Sequence, residues 1–247
     1  MAEWQSGVVR ENIGWSAHLH SLRIETAPLA FSAGQYTRLG LEVEGTLIGR
    51  PYSFVNPPTE PLLEFYFNAV PGGPLSNRLL GLNPGDEIQL ATTPSGFLVL
   101  DEIPDGRDLW LLATGTAIGP FLSILATAQP WQRFERIVLV YGVRHQADLS
   151  YRNLLDQFGR EHHEQFVWLP FVSREPVEGA VTGRIPAAIA EGRLEQRVGL
   201  SLSAEHSQVM ICGNPEMVKD SLAVLKARGL AKNLRRSPGQ ITVERYW

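Results

Sequence analysis

Four short stretches of this 247-residue chain combine residue types that bind anions, stack on flat rings or sit beside a reacting atom. Gly115-Thr116-Ala117-Ile118-Gly119-Pro120 lies between an apolar run and a helical pattern. Such a turn exposes backbone N–H groups and a helix N-terminus, both suited to a phosphate. Ala117 stands where a dinucleotide fingerprint has its second glycine, and the same glycines would serve any tight βα turn. Arg50-Pro51-Tyr52-Ser53 offers a guanidinium for phosphate, a phenol ring for stacking and a hydroxyl for a ring nitrogen. Taken alone, it reads first as a strand with an exposed arginine. Cys212-Gly213-Asn214-Pro215 closes an apolar run, where open α/β sheets bind ligands. A lone cysteine there either touches a ligand or packs as a small hydrophobe. Arg144, Ser173-Arg174 and Arg184 follow successive apolar runs. Cations in these places suit a 2′-phosphate, whereas an acidic residue marks a bare ribose; Arg144 stands where that acid would be. Solvated surface arginines would look the same, because the 22 basic residues include only Lys219, Lys226 and Lys232 as lysines.

The elements that would carry these residues fall into two textures. Up to about residue 100 the chain reads as short strands with Gly and Pro turns, at 22–25, 36–43, 51–55, 62–70 and 87–91. That spacing predicts a small antiparallel barrel, with one helix at 75–82 where leucines recur at helical period. Beyond 101–106, apolar runs at 109–113, 137–142, 166–172 and 207–213 alternate with helical patterns at about 120–128, 150–159 and 215–228. The last helix has Asn214 as N-cap, Pro215 at its first position, Glu216 next and Gly229 after its end. Strands alternating with helices predict a parallel sheet covered on both faces. The expected organisation is a β-barrel domain over 1–102 followed by an α/β nucleotide-binding domain over 103–247.

Composition narrows the function. A single cysteine excludes intrachain disulfides and all-cysteine metal or iron–sulfur sites, and the six histidines show no metal-ligand spacing, so no metal is expected. A formal charge of −4 argues against nucleic acid. No apolar run approaches the ~20 residues of a membrane span, and the N-terminus has no secretion-signal pattern, so the cytoplasm is the expected compartment.

In order and spacing, these motifs resemble the ferredoxin/flavodoxin–NADP⁺ reductases of the short bacterial type. Ala33-Gly34-Gln35-Tyr36, Arg50-Pro51-Tyr52-Ser53, Glu64-Phe65-Tyr66, Leu75-Ser76, the 115–120 loop, Cys212-Gly213-Asn214-Pro215 and the ending Glu244-Arg245-Tyr246-Trp247 all carry the resemblance. It implies that FAD contacts Arg50, Pro51, Tyr52, Ser53, Glu64, Phe65, Tyr66, Leu75, Ser76, Thr116, Tyr246 and Trp247. It implies that NADP(H) is held by Thr116, Arg144, Ser173, Arg174, Arg184, Cys212, Asn214 and Glu216. Ser53, Cys212 and Glu244 would flank the hydride path between nicotinamide C4 and flavin N5. Tyr246 would cover a flavin face and Trp247 the adenine. Pro74 departs from the subgroup, which often has a basic residue there.

The implied activity passes electrons between NADP(H) and ferredoxin or flavodoxin, by a monomeric enzyme. A diaphorase, an oxygenase-partner reductase and a non-catalytic flavoprotein sensor are the competing readings. Acidic carriers call for a basic docking face. Lys232, Arg235 and Arg236, with Arg10 and Arg107, form the densest candidate, although a solvated loop reads the same way.

Overall fold

The computed structural model describes residues 3–245. The chain forms two compact units, one of residues up to 99 together with 119–127, the other of the remainder.

The first unit is a curled antiparallel sheet of β1 (Trp4–Gly14), β2 (Leu19–Thr26), β3 (Tyr36–Val43), β4 (Thr46–Ser53), β5 (Leu63–Asn68) and β6 (Glu87–Ala91). Its order is β4-β3-β6-β1-β2-β5. The two edges are joined at one place, where Phe54 bridges Phe65 and the Val55 N–H donates to Glu64 O at 2.9 Å. Curling turns one face inward, and Leu22, Leu39, Phe54, Phe65, Phe67 and Leu90 fill it. β3 and β4 are joined by Glu44 and Gly45, both at positive φ (52° and 77°), the backbone of a tight two-residue hairpin. The helix expected over 75–82 is the shorter α1 (Ser76–Leu80). β1 has no counterpart among the expected strands. Only Gly7 and Val9 are buried along it, so its sequence lacks the alternation that marks a half-buried strand. The short run at 51–55 overlaps the end of a longer strand whose first half exposes Thr46 and Leu47 and so lacks a buried-face pattern.

The second unit is a parallel sheet of β7 (Asp108–Thr114), β8 (Arg136–Val143), β9 (Phe166–Val172), β10 (Val181–Thr182), β11 (Ser207–Gly213) and β12 (Ile241–Arg245). Its order is β10-β9-β8-β7-β11-β12, so the chain builds outward from β7 on one side and then returns to build on the other. The four expected strands are its centre. The two additional edge strands, of two and five residues, are too short to show a periodicity.

The helices are α2 (Gly119–Leu125), α3 (Gln129–Arg133), α4 (Arg152–Glu161), α5 (Ile185–Ala190), α6 (Arg193–Val198) and α7 (Pro215–Ala227). The helix expected over 120–128 is the shorter α2, and α3 is a separate helix beyond it. α4 starts two residues later than its pattern, because Tyr151 sits at φ 61°, outside helical geometry. α7 has the expected cap: the Asn214 side chain accepts from the Glu216 and Met217 N–H groups. α2 belongs to the first compact unit, where Ser123 Oγ donates to Asn56 O at 2.7 Å.

Candidate functional site

In the first unit, Arg50-Pro51-Tyr52-Ser53 forms the end of β4. Arg50 is exposed and donates to Gly49 O at 3.1 Å; Arg38, on β3, donates to the same carbonyl at 3.0 Å. Two cations therefore converge beside the strand end, and Arg38 was not singled out by sequence. Tyr52 is half-buried, with the Phe67 ring edge-on at 6.3 Å. Burial pushes its phenol up to about 12, against a smaller opposing pull from Arg50, so at neutral pH it is an uncharged ring with a proton to donate. Ser53 is buried beside it.

The next expected group divides by side-chain direction. Phe65 and Leu75 point into the apolar core, while the buried Glu64 carboxylate is held by Arg23 at 3.0 Å. Tyr66 is buried on the same strand. Ser76 Oγ accepts the Val70 N–H at 3.0 Å, and the Asn77 amide donates to Val70 O and Gly73 O. These bonds fold the 70–77 loop tightly, and a Cβ at Gly73 would lie 2.6 Å from Ser76 Oγ. A guanidinium, a neutral ring and a buried hydroxyl at one strand end fit a flat heterocycle with an anionic tail, as in FAD.

In the second unit, the 3₁₀ turn Gly115–Ile118 leaves β7, with Gly115 at φ 57° and Thr116 half-exposed. Arg144 follows β8, Ser173 and Arg174 follow β9, and Arg184 follows β10. The backbone ties these segments together: Ser173 N–H to Val143 O at 3.1 Å, Arg174 N–H to Arg144 O at 3.0 Å, and Gly183 N–H to Val172 O at 3.2 Å. The three arginines thus occupy neighbouring positions along one sheet edge. Each is exposed, and none has a carboxylate partner among the described residues.

Cys212 and Glu244 are register partners on β11 and β12. Cys212 is fully buried, and burial, then the nearby Glu244 charge, pushes its thiol well up, so it is protonated at neutral pH. Burial pushes the Glu244 carboxyl up to about 7, so that group gains and loses its proton near neutrality. The Asn214 side chain is engaged in capping α7, and Glu216 is exposed in that helix's first turn. The backbone N–H of Asn214 donates to Thr114 Oγ1 at 3.0 Å, a residue the sequence reading passed over. Tyr246 and Trp247 lie outside the described residues.

The basic cluster sits elsewhere. Leu234 and Ser237 close a hairpin ahead of the N-terminal end of β12, while Glu244 is near its C-terminal end. Arg235 pairs with Glu102 at 3.8 Å, Arg10 with Glu25, and Arg107 with the buried Asp108 at 2.8 Å.

A curled antiparallel unit with a flavin-type strand end, followed by a parallel sheet with a phosphate-type turn, defines a two-module flavin- and nicotinamide-dependent oxidoreductase. Family models agree: residues 8–98 match the oxidoreductase FAD-binding domain and residues 111–222 the oxidoreductase NAD-binding domain. The chain is 48% identical to the flavodoxin/ferredoxin–NADP reductase of Shigella flexneri over all of both chains. It is 36% identical to the ferredoxin–NADP reductase of Pseudomonas aeruginosa, over 94% of this chain and 93% of that one. The crystal structure of a ferredoxin NADP⁺ reductase from Neisseria gonorrhoeae, with bound FAD and NADP, superposes with a TM-score of 0.95 at 32% identity over all of both chains. The chain belongs to the flavodoxin/ferredoxin–NADP reductase family.

Proposed function

We propose that this enzyme moves electrons between NADP(H) and a ferredoxin or flavodoxin, with FAD bound by the first unit and NADP(H) by the second. The observation that carries the nucleotide half is the row of unpaired arginines 144, 174 and 184 at one sheet edge. A 2′-phosphate is the anion that such a row suits. We assign residues 1–102 to FAD binding and 103–247 to NADP binding, with α2 packed in the first compact unit.

When bound, FAD supplies the conversion between two-electron exchange with nicotinamide and one-electron exchange with the carrier. The chain's residues bind, orient and hold protons. Arg50 would neutralise the pyrophosphate of FAD, Tyr52 would offer its uncharged ring to the flavin and Ser53 would offer its hydroxyl as a hydrogen-bond partner. Pro51, Glu64, Phe65, Tyr66, Leu75 and Ser76 shape that surface, Phe65 and Leu75 through packing beneath it. Thr116, in the turn after β7, would contact nucleotide through its hydroxyl. Arg144, Ser173, Arg174 and Arg184 hold the 2′-phosphate, and Asn214 and Glu216 border the nicotinamide end. Cys212 and Glu244, register partners on β11 and β12, would flank the nicotinamide. Oxidising one NADPH reduces two one-electron carriers and releases one proton, and Glu244 has the affinity to hold a proton near neutrality.

Among the described residues, no helix is long and apolar enough to cross a membrane. We place the working enzyme in the cytoplasm as a monomer, which gel filtration checks against 27.4 kDa. The reductase reading predicts a flavin absorption spectrum and NADPH-dependent cytochrome c reduction that rises when ferredoxin or flavodoxin is added. A colourless protein that takes up no FAD would overturn it. Reduction indifferent to the carrier would favour the diaphorase reading. A partial match to a longer chain, the cytochrome P450 reductase of Amycolatopsis (28% identity, TM-score 0.80, 71% of that chain), bears on the oxygenase-partner reading. The full-length matches to flavodoxin/ferredoxin–NADP reductases favour the carrier reading over it.

A further inference from the structure

A polar pair interrupts the inward face of the curled sheet. Asn12 on β1 is the register partner of Leu22 on β2, and His20 on β2 is the register partner of Phe67 on β5. Cross-strand partners share a face, and Leu22 and Phe67 both belong to the apolar core. Asn12 and His20 therefore take two positions on the core-facing side, and both are half-buried. The Asn12 amide nitrogen donates toward three carbonyls, Leu82 O at 2.7 Å, Leu80 O at 3.1 Å and Leu79 O at 3.4 Å. These lie at and just beyond the C-terminal end of α1, where a helix leaves its carbonyls without intrahelical partners. Carbonyls only accept, so Asn12 Oδ1 faces the other way, and there His20 Nδ1 lies at 2.9 Å. An amide oxygen also only accepts, so His20 carries a proton on Nδ1. The imidazole is tilted against the Phe67 ring at 6.1 Å, and Phe67 is the ring that stands edge-on to Tyr52. α1 itself has only five residues, too few to hold a helix in place unaided. Ser76 and Asn77 fasten its front to the preceding loop, and Asn12 fastens its rear to β1.

We propose that Asn12 is a positioning residue for FAD and that His20 orients it. The pair locks α1, which carries Ser76 and follows directly on Leu75, against the strands that carry Phe67 and Tyr52, and so fixes the two parts of the cofactor surface relative to each other. This rests on the reading of the first unit as the FAD site.

Asn12→Leu keeps the size of the side chain and removes all of these bonds, whereas Asn12→Asp keeps an acceptor for His20 and removes the donor. The test measures three quantities on the FAD-loaded enzyme: the rate of FAD release on dilution, the visible spectrum of the flavin still bound, and KM for NADPH. Loss of the amide donor should quicken FAD release by about tenfold in both variants, the scale of one or two neutral hydrogen bonds. The spectrum of the retained flavin and KM for NADPH should match wild type, because Tyr52 and the second unit are untouched. His20→Phe keeps a ring against Phe67 and removes the Nδ1 proton, so release should quicken by about threefold. The double variant Asn12→Leu/His20→Phe should release FAD no faster than Asn12→Leu, because both substitutions cut one network. Unchanged FAD release in the Asn12 variants overturns the proposal. So does faster release accompanied by a shifted flavin spectrum and a raised KM, which would mean that the whole unit had loosened. Independent, multiplying effects of the two substitutions would overturn the part given to His20. If Asn12→Leu does not fold, Asn12→Asp and His20→Phe decide on the same three readouts. A wild-type enzyme that binds no FAD would overturn the FAD reading instead.

Discussion

The two ends of the parallel sheet use the same residue types in opposite ways. At the N-terminal end, three arginines are engaged by the chain itself, while Arg136, the first residue of β8, is exposed. Arg107 holds the fully buried Asp108, Arg133 donates to Leu100 O, Ile103 O and Asp105, and Arg235 reaches Glu102. Asn233 adds a bond to Glu102 O at 2.7 Å, so the 100–105 segment is fastened to the sheet's lower rim. At the C-terminal end, Arg144, Arg174 and Arg184 have no carboxylate partner among the described residues, glycines clear space around Thr114, and Glu244 is half-buried beside Cys212. Arginine content alone cannot distinguish the ends; pairing does. A guanidinium already satisfied by carbonyls or carboxylates stabilises the fold, and one left open is available to an anion from outside.

Four experiments would break or sharpen that contrast. The largest effect belongs to Glu244. Its folded-state affinity for a proton is raised from an ordinary 4.5 to about 7, so the folded chain holds more protons than the unfolded one across that window. The resulting stability is fully present below pH 4.5 and is lost as pH rises through about 7, a change of about 3 kcal/mol. Urea unfolding of the wild type should show that slope, and Glu244→Gln should remove it. A wild type and variant with parallel pH dependence would mean that Glu244 is solvated.

Next is Cys212→Ala. The FAD site belongs to the first unit in our reading, so flavin occupancy should be unchanged. A small misplacement of the nicotinamide should slow single-turnover flavin reduction by on the order of 10²-fold. An unchanged rate would reduce Cys212 to packing. Third, Arg174→Ala and Arg184→Ala should each raise KM for NADPH by about tenfold or more, the scale of one charge-assisted hydrogen bond, and leave KM for NADH nearly unaltered. Equal effects on both nucleotides would move the 2′-phosphate elsewhere.

The smallest effect comes from the other end of the sheet. Arg133→Ala leaves Ile103 O without its donor, while Leu100 O keeps the Ile103 N–H at 3.2 Å, and should cost about 1–3 kcal/mol, visible as a Tm several degrees lower, with KM for NADPH at the wild-type value. A shift in KM as large as that of Arg174→Ala would erase the distinction between the two ends.

Much of the site was legible because its chemistry is local. Arg50-Pro51-Tyr52-Ser53 is contiguous on one strand end, and Asn214-Pro215-Glu216 announces a helix start in three residues. The strands carrying these motifs are apolar runs long enough to show a pattern. β1 was not legible, because only Gly7 and Val9 are buried along it and its place between β2 and β6 rests on backbone hydrogen bonds that leave no pattern in the side chains. β10 and β12 were too short. Thr114 was missed because its significance comes from Gly142 and Gly213, which are 28 and 99 residues away in sequence and adjacent only across the sheet.

By itself the sequence determined the order of the elements, the class of chemistry and most of the residues that touch it, because hydrophobic period, turn residues and short motifs act between near neighbours along the chain. Only the tertiary structure decided which arginines are open and which are engaged, that the Glu244 carboxyl keeps its proton to about 7, and that one threonine joins two loops. Each of these depends on burial and on partners brought together across strands. Desolvation and hydrogen bonding belong to a position in space, and no residue carries them in its name.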